Sequence, residues 1–198
     1  MIDPELWRRL SRLEPEAVAR RALVRLAADG RYEVPVLGSQ VWVDVAAEEV
    51  TSAWPEVIAP DYLLAVSVVQ YLILAEERER AGELVSAAEL PYGEVFFRGP
   101  HALPGEALGA LFADDGERFR EVLARLGGRP VLLADVGVRV EVYPRLPVWL
   151  GLWLADEEFS ARVSFLFDRT AGAHLPVDAL WSAVMVLAGA IRRLSTST

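Results

Sequence analysis

Three alternating segments between Val138 and Asp168 constrain the fold of this chain more than any other stretch. In residues 138–143 valine alternates with larger or charged residues, the period-two pattern of a strand with one buried face. Residues 148–155 are apolar at both sets of alternate positions, which is typical of a strand covered on both faces. Residues 161–167 alternate again. We therefore predict an antiparallel meander with Val148–Ala155 at the centre of the sheet.

Two groups of turn residues separate these segments. Pro144 and Pro147 flank Arg145, and because proline cannot donate to a sheet ladder the first strand should end there. The proline pair can hold Arg145 rigidly for an anion, or it can simply terminate a strand. The second turn, Asp156-Glu157-Glu158, is too acidic to be buried. It is either a solvated hairpin tip or, through its carboxylates, a ligand for a divalent cation.

Helical patterns flank the predicted sheet. A helix from Asp61 to about Arg80 is apolar nearly all round in its middle, so it must be buried against the sheet. The other predicted helices are an N-terminal pair over about 3–30 (broken at Pro15 and ended by Gly30), Pro104–Phe112, Asp115–Leu126 and a last helix from Pro176. The ordered core should extend to about 194, with a disordered Ser-Thr tail after it.

Further strands complete the prediction. Tyr32–Val36 and Gln40–Val45 alternate around a glycine turn and indicate a hairpin, with a third short strand near Val50. Leu84-Val85 and Glu94–Phe97 are expected to be short extended pieces. A strand at 131–134, turning at 135–137, begins the meander. Strands between helices predict an α+β single domain over 1–198, with a mainly antiparallel sheet and a C-terminal β-meander (about 131–168) packed by helices.

Composition excludes several functions. The net charge is −9 and all 20 basic residues are arginine, so we expect no nucleic-acid binding without a local basic patch, which the sequence lacks. There is no cysteine, and therefore no iron-sulfur cluster held by this chain and no cysteine-ligated metal. The apolar helical stretches are shorter than the roughly 20 residues of a membrane span. The first residues lack the apolar core of a signal peptide, so we expect a cytoplasmic protein.

Two histidines limit the candidate sites. His101 lies in a predicted loop and is interpreted as an exposed loop residue. His174 lies in a glycine-containing connection six residues after Asp168, and a loop that returns on itself can bring the two side chains together. Such a pair suits a proton relay or a metal ligand, but it can equally staple two loops. We select Asp168, His174 and Arg145 as candidate ligand-binding residues, and we predict no catalytic set and no metal site.

The meander carries a resemblance to a known family. Pro144-Arg-Leu-Pro-Val148, Leu152-Trp-Leu-Ala-Asp-Glu-Glu-Phe159, Phe165-Leu-Phe-Asp168 and His174-Leu-Pro176 together resemble the C-terminal half of an uncharacterised bacterial family, domain of unknown function 3786. The apolar helix after Asp61 and the region from Gly82 to Pro91 are similar to that family's middle portion. In the family the acidic turn usually reads Trp-Glu-Gly-Asp-Glu-Glu-Phe-Pro, whereas this chain has Leu154 and Ala155 before Asp156 and Ser160 after Phe159.

The resemblance implies a domain found often in anaerobes and sometimes joined to an iron-sulfur domain of the corrinoid-protein type, with no activity assigned. Our leading hypothesis is a cytoplasmic binding or accessory module that acts with an iron-sulfur or corrinoid partner protein. The alternative is a small-molecule enzyme that uses an Asp168 and His174 loop site. Whether the protein is an enzyme stays open, and a homo-oligomer is compatible with the sequence.

Overall fold

The computed structural model describes residues 2–196, in which eight α-helices and nine strands follow one another. The helices are α1 (Pro4–Ser11), α2 (Pro15–Ala22), α3 (Tyr62–Leu74), α4 (Gly93–Phe96), α5 (Gly105–Phe112), α6 (Gly116–Arg125), α7 (Ala171–His174) and α8 (Val177–Thr196). The strands are β1 (Arg25–Leu26), β2 (Tyr32–Val36), β3 (Ser39–Asp44), β4 (Glu49–Ser52), β5 (Leu84–Ser86), β6 (Arg129–Val131), β7 (Val136–Tyr143), β8 (Leu146–Trp153) and β9 (Arg162–Asp168). The predicted α+β class is confirmed.

The strands form two antiparallel sheets instead of the single sheet that we predicted. The N-terminal sheet has the order β1-β2-β3-β4, and the C-terminal sheet has the order β5-β9-β8-β7-β6. The predicted hairpin is present as β2 and β3, but β1 and β4 pair with its two edges. Because both hairpin edges are occupied by neighbouring segments of chain, the hairpin cannot extend the larger sheet. The sheets meet where β2 packs near β7 and the Leu37 amide donates to the Glu141 carbonyl at 3.3 Å.

The predicted central strand is the middle strand of the C-terminal sheet. In β8, Leu150 lies opposite Val138 of β7 and opposite Phe165 of β9. Val148, Leu150 and Leu152 are fully buried on one face of the strand. The meander topology and its centre are therefore confirmed.

The second face of β8 is covered less completely than the sequence predicted. The loop after β6 places Leu133 and Ala134 over Gly151, and because glycine has no side chain there is just enough room for them. On either side, Arg139 lies over the ring of Trp149 and Arg162 lies over Trp153, 6.0 Å and 5.7 Å from the ring centroids. The strand ends at Trp153, which is 42% exposed, and Ala155 lies outside it. A loop and two arginines, not a helix layer, cover this face.

The helix α3 is buried on nearly all sides, as its composition predicts. It packs against α8, α1 and α2. Two of its side chains contact Tyr143 of the C-terminal sheet. The Tyr71 ring stacks on Tyr143 of β7 with centroids 4.7 Å apart, and the Ser67 hydroxyl lies 2.6 Å from the Tyr143 hydroxyl. One hydrophobic core therefore extends across the helices and both sheets.

Two predicted helices end earlier than expected. We predicted α3 to about Arg80, but it ends at Leu74 because the guanidinium of Arg21 occupies carbonyls that another turn would bond. Arg21 donates to the Leu72 carbonyl at 2.7 Å and to the Ala75 carbonyl at 2.8 Å. The N-terminal pair ends at Ala22 instead of Gly30, since Leu23 adopts a left-handed conformation and the chain then enters β1.

Other boundaries differ as well. Residues 94–97, predicted to be extended, lie mainly in α4. The meander begins with Arg129–Val131 instead of 131–134, and residues 132–135 form the turn that covers Gly151. The last helix continues past 194 to Thr196, with Ser195 buried, and the rest of the predicted disordered tail lies outside the described residues. Within residues 2–196 no helix combines the length and the apolar character needed to cross a membrane.

Candidate functional site

The charged segment at residues 76–82, between α3 and β5, runs across the three side chains that the sequence selected. We call it the strap. Its residues are exposed and its backbone belongs to no helix or strand, so hydrogen bonds from side chains of the core must hold it against the protein. Asp168, His174 and Arg145 each provide one.

Asp168 holds the C-terminal end of the strap. The carboxylate is 2% exposed, and it accepts hydrogen bonds from the backbone amides of Ala81 at 3.0 Å and Gly82 at 2.8 Å. The amide and hydroxyl of Thr170 donate to the same group at 3.0 Å and 2.6 Å. Burial by itself raises the pKa of Asp168, but these four hydrogen bonds to the ionised form outweigh it and hold the pKa below its usual value.

His174 holds the start of the strap. The side chain is 1% exposed, and Nδ1 accepts a hydrogen bond from the Glu76 amide at 3.3 Å. Burial is the main cause that lowers the pKa of His174, and the nearby positive charge of Arg145 lowers it further. The imidazole is therefore neutral near pH 7, with its proton on Nε2.

Arg145 holds the middle of the strap from the turn between β7 and β8. Its Nη1 donates to the Arg78 carbonyl at 3.1 Å, and its Nε donates to the Arg21 carbonyl. The backbone amide of Arg145 donates to the Tyr71 hydroxyl at 3.1 Å. The guanidinium is thus oriented by backbone carbonyls instead of by a carboxylate.

The structure brings the three predicted residues to one strap, but it does not join Asp168 to His174. No hydrogen bond or ion pair links these two side chains, both of which lie within the described residues. Each of the three residues holds a different point of the strap, which gives each a structural role and agrees with the loop-stapling alternative. Their role in binding a ligand stays a prediction.

A small cavity opens beside two of these residues. Its volume is about 400 Å³, and Arg145, His174 and Pro144 line it together with Leu23 and residues 78–80 of the strap. Asp168 is not part of its wall. Because Arg145 forms no ion pair with a carboxylate among the described residues, this space suits an anion better than a cation.

A larger open cleft lies at the far end of the central strand. We call it the acidic cleft; its volume is about 1050 Å³. Its walls are Glu106, Ala110, Ala113, Asp135, Trp153, Leu154, Ala155, Asp156, Phe159, Ser160, Ala161 and Arg162. Trp153 and Phe159 are 42% and 69% exposed, so two of the eight exposed large apolar side chains of the described residues lie together in this cleft.

The acidic turn forms one wall of this cleft. The Asp156 carboxylate accepts hydrogen bonds from the Phe159 amide at 2.7 Å and the Glu158 amide at 2.9 Å, and these bonds lower the pKa of Asp156. Asp156 thus organises its own loop, while Glu157 and Glu158 are exposed. Across residues 2–196 no group of three or more histidine or acidic side chains is placed to hold a metal ion.

Close packing between α5 and β9 shapes the opposite wall. A Cβ on Gly105 would lie 2.3 Å from the Val163 carbonyl oxygen, and one on Gly109 would lie 2.3 Å from that of Ala161. The two glycines therefore let the helix backbone touch the strand backbone. Sequence reasoning missed Glu106, Trp153, Phe159 and Arg162 as cleft residues. Glycines spaced four apart on α5 were the available signal for the close contact.

His101 does not lie in an exposed loop, contrary to the prediction. Its ring is half-buried and stacks on Phe96 with centroids 4.4 Å apart. It also meets Trp181 of α8 edge to face at 5.5 Å. An aromatic cluster that forms only on folding therefore holds this histidine.

Comparison with known proteins identifies a family without assigning a function. The model of a family described as a domain of unknown function, DUF3786, matches residues 14–190. Neither a curated protein nor a solved structure matches the chain. The matched range includes both sheets, the strap and the acidic cleft. The chain therefore belongs to the DUF3786 family.

Proposed function

We propose that this protein is a binding or accessory module that docks a partner protein at the acidic cleft. The observation that carries the proposal is the exposure of Trp153 and Phe159 beside an open cleft of about 1050 Å³. Exposed aromatic side chains next to a concave surface are typical of protein-binding sites, because their burial supplies much of the binding free energy.

The charges around the cleft indicate the chemistry of the partner. Among the described residues, Glu106, Glu157 and Glu158 make no ion pair, and Asp135 and Asp156 add negative charge to the wall. Arg162, the one basic residue of the wall, lies over the Trp153 ring. The cleft therefore fits a segment that carries an apolar anchor next to arginine or lysine residues.

A second copy of this chain is a poor occupant of the same cleft. The chain has a net charge of −9, and a symmetric contact would bring two acidic walls together. A basic segment of a different protein gains electrostatic attraction instead. This contrast favours a heterologous partner.

We further propose that the partner is an iron-sulfur or corrinoid protein in the cytoplasm. The proposal rests on the association that the family resemblance implies. Since the chain has no cysteine, an iron-sulfur cluster would have to be held by the partner. The accessory role would then be to bind and orient the cofactor-bearing protein.

Affinity purification from the native host tests this proposal with two variants. The double variant Trp153→Ser, Phe159→Ser removes both exposed aromatic side chains of the cleft. Tyr92→Ser is the matched control, because Tyr92 is 86% exposed but does not line the cleft. We expect the wild type and the control to recover a protein with the visible absorbance of an iron-sulfur cluster or a corrinoid, and the double variant to lose it.

Two results would count against the proposal. If the double variant recovers the same proteins as the wild type, the cleft is not the docking surface. If the protein that the double variant fails to recover carries neither an iron-sulfur cluster nor a corrinoid, the proposed kind of partner is wrong. A titration of the purified partner against the wild type and both variants then gives the affinities directly.

The alternative of a small-molecule enzyme that uses Asp168 and His174 receives less support from the geometry. The Asp168 carboxylate already accepts four hydrogen bonds. Nδ1 of the buried His174 accepts a hydrogen bond from the Glu76 amide. A general acid or base needs a free position facing its substrate, and Asp168 offers none.

A further inference from the structure

We propose that the cavity beside Arg145 and His174 binds a small oxyanion, namely inorganic phosphate or the phosphoryl group of a small metabolite. This site is separate from the acidic cleft and does not depend on the docking proposal. It is lined by Arg145, His174, Pro144, Leu23 and residues 78–80 of the strap, and it has a volume of about 400 Å³. That volume lies in the lower part of the range for small-molecule sites.

Arg145 provides the central positive charge. Its Nε and Nη1 donate to the carbonyls of Arg21 and Arg78, and within residues 2–196 no carboxylate forms an ion pair with it. Backbone carbonyls orient a guanidinium without neutralising its charge. Nη2 makes no hydrogen bond to the described protein, so it is available to an oxyanion, which guanidinium groups bind through charge-assisted hydrogen bonds.

His174 provides a neutral donor to the same cavity. Because Nδ1 accepts the Glu76 amide, the proton of the neutral ring must be on Nε2. Nε2 makes no hydrogen bond to the described protein, and the imidazole lines the cavity. An oxyanion in the cavity would accept this hydrogen bond and would also favour the protonated ring.

The strap adds two more guanidinium groups. Arg78 pairs with Glu76 at 3.1 Å, and Arg80 pairs with Glu141 at 3.2 Å, both as partly exposed ion pairs. Glu79 is the only acidic residue among those that line the cavity. Arg145 is therefore the unpaired guanidinium of the site, and Arg78 and Arg80 add N–H donors, an arrangement that suits the several acceptor oxygens of a phosphoryl group.

The donors are held in place before a ligand arrives. Pro144 restricts the backbone next to Arg145, and the hydrogen bonds of Asp168, His174 and Arg145 hold the strap. A preorganised site loses less conformational entropy on binding than a flexible one. Holding the strap in place is therefore compatible with binding an anion, since the same hydrogen bonds position the donors that line the cavity.

Ligand titration followed by NMR of the histidine rings tests the proposal on the full chain. The chain has only two histidines, His101 and His174, and the His101→Gln variant assigns their signals. We expect inorganic phosphate and glycerol 3-phosphate to shift the His174 signals and raise its pKa, while those of His101 stay unchanged. Sodium chloride at matched ionic strength and succinate serve as comparison ligands.

Variants on the strap separate binding from folding. Arg80→Gln removes a guanidinium that lines the cavity together with its exposed ion pair to Glu141, and it leaves the hydrogen bonds of Asp168, His174 and Arg145 to the strap in place. We expect it to weaken phosphate binding by about tenfold or more, measured by isothermal titration calorimetry. Arg98→Gln is the matched control, because Arg98 forms an exposed pair with Glu94 and does not line the cavity. Arg145→Met should abolish binding, and its thermal unfolding shows whether it folds.

Three results would overturn the inference. The first is no response of the His174 signals to millimolar phosphate. The second is equal affinity in wild type and Arg80→Gln. The third is binding of succinate as tight as that of phosphate, which would refute the choice of a phosphoryl group. Unchanged phosphate binding by the Trp153→Ser, Phe159→Ser variant is expected, and it keeps this test independent of the docking test.

Discussion

The backbone amide of Gly82 donates to the Asp168 carboxylate at 2.8 Å, and this bond joins the end of the strap to the end of the last meander strand. The two residues are 86 positions apart in the chain. Gly82 has a φ of +72°, a conformation that glycine adopts without strain, and this brings its amide to the carboxylate. The strap is therefore part of the folded core's hydrogen-bond network.

The Asp168→Asn variant should destabilise the protein by about 2–3 kcal/mol. The amide keeps one acceptor oxygen but places an NH₂ group against backbone donors, which leaves buried groups without partners. Urea unfolding followed by far-UV circular dichroism measures the change. Asp114→Asn, at an exposed position without an ion pair among the described residues, should stay within about 0.5 kcal/mol of wild type. Equal stability of both variants would contradict the role of Asp168.

Stability should fall as the pH drops below about 6.5, because the folded protein binds a proton at His174 less readily than the unfolded chain does. Burial and Arg145, with Arg78, lower the pKa of His174, and Glu76 and Asp168 oppose them only in part. When folding lowers a histidine pKa, the free energy of unfolding is unaffected at pH values above the pKa of the unfolded chain. It falls at pH values below that pKa.

His174→Gln should therefore lose less stability than wild type between about pH 7 and 5. Urea unfolding in buffers without phosphate measures this. The Asp168 contribution is lost only at lower pH, below the unfolded carboxyl value of about 4, so the two windows are distinct. Leu132→Gln, a change at a fully exposed position outside the strap that adds no titratable group, should keep the wild-type slope. A wild-type slope in His174→Gln would refute the assignment.

Gly109→Ala should destabilise the protein by about 1–3 kcal/mol, although the same change in an exposed helix stabilises it by about 1 kcal/mol. The new methyl group would lie 2.3 Å from the Ala161 carbonyl oxygen, so α5 would have to move away from β9. Gly189→Ala in α8 is the matched control, since a Cβ there would lie 3.1 Å from Nη1 of Arg193, the end of a long side chain that needs to shift by only a few tenths of an ångström and can keep its hydrogen bond to the Val57 carbonyl. Thermal unfolding should show a lower melting temperature for Gly109→Ala and a higher one for Gly189→Ala. A stabilised Gly109→Ala would show that the contact between α5 and β9 is not tight.

Tyr71→Phe should cost more stability than Tyr143→Phe, although both hydroxyls are buried. The Tyr71 hydroxyl donates to the Ala22 carbonyl at 2.7 Å and accepts the Arg145 amide at 3.1 Å, and both would lose a partner. Among the described residues the Tyr143 hydroxyl forms a hydrogen bond only with Ser67, whose hydroxyl keeps its bond to the Leu63 carbonyl at 2.7 Å. We expect losses of about 2 and about 1 kcal/mol, respectively. Chemical denaturation that gives the reverse order would contradict this difference.

Hydrophobic periodicity was sufficient to predict the α+β class, the meander and its central strand. Val148, Leu150 and Leu152 are buried because a two-sided apolar strand has no stable place except the interior of a sheet. The all-round apolar pattern of α3 likewise required burial. These are local patterns with only one compatible environment, so the sequence determined them.

Tertiary contacts decided what local patterns leave open. The end of α3 depends on Arg21, which lies 51 residues before Leu72 in the chain and occupies its carbonyl. The second face of β8 is covered by Leu133 and by arginines on neighbouring strands, a choice that the period of the strand does not encode.

The candidate site shows the same division. The sequence selected Asp168, His174 and Arg145 as polar residues at turns, and it left structural and ligand-binding roles open. Only the folded chain brings the strap to them, places Arg145 and His174 on one cavity wall and leaves Asp168 outside it. Hydrogen bonds between residues tens of positions apart set this arrangement. Composition and periodicity describe each segment separately, so the sequence determined which segments must be buried and the tertiary structure decided which side chains meet.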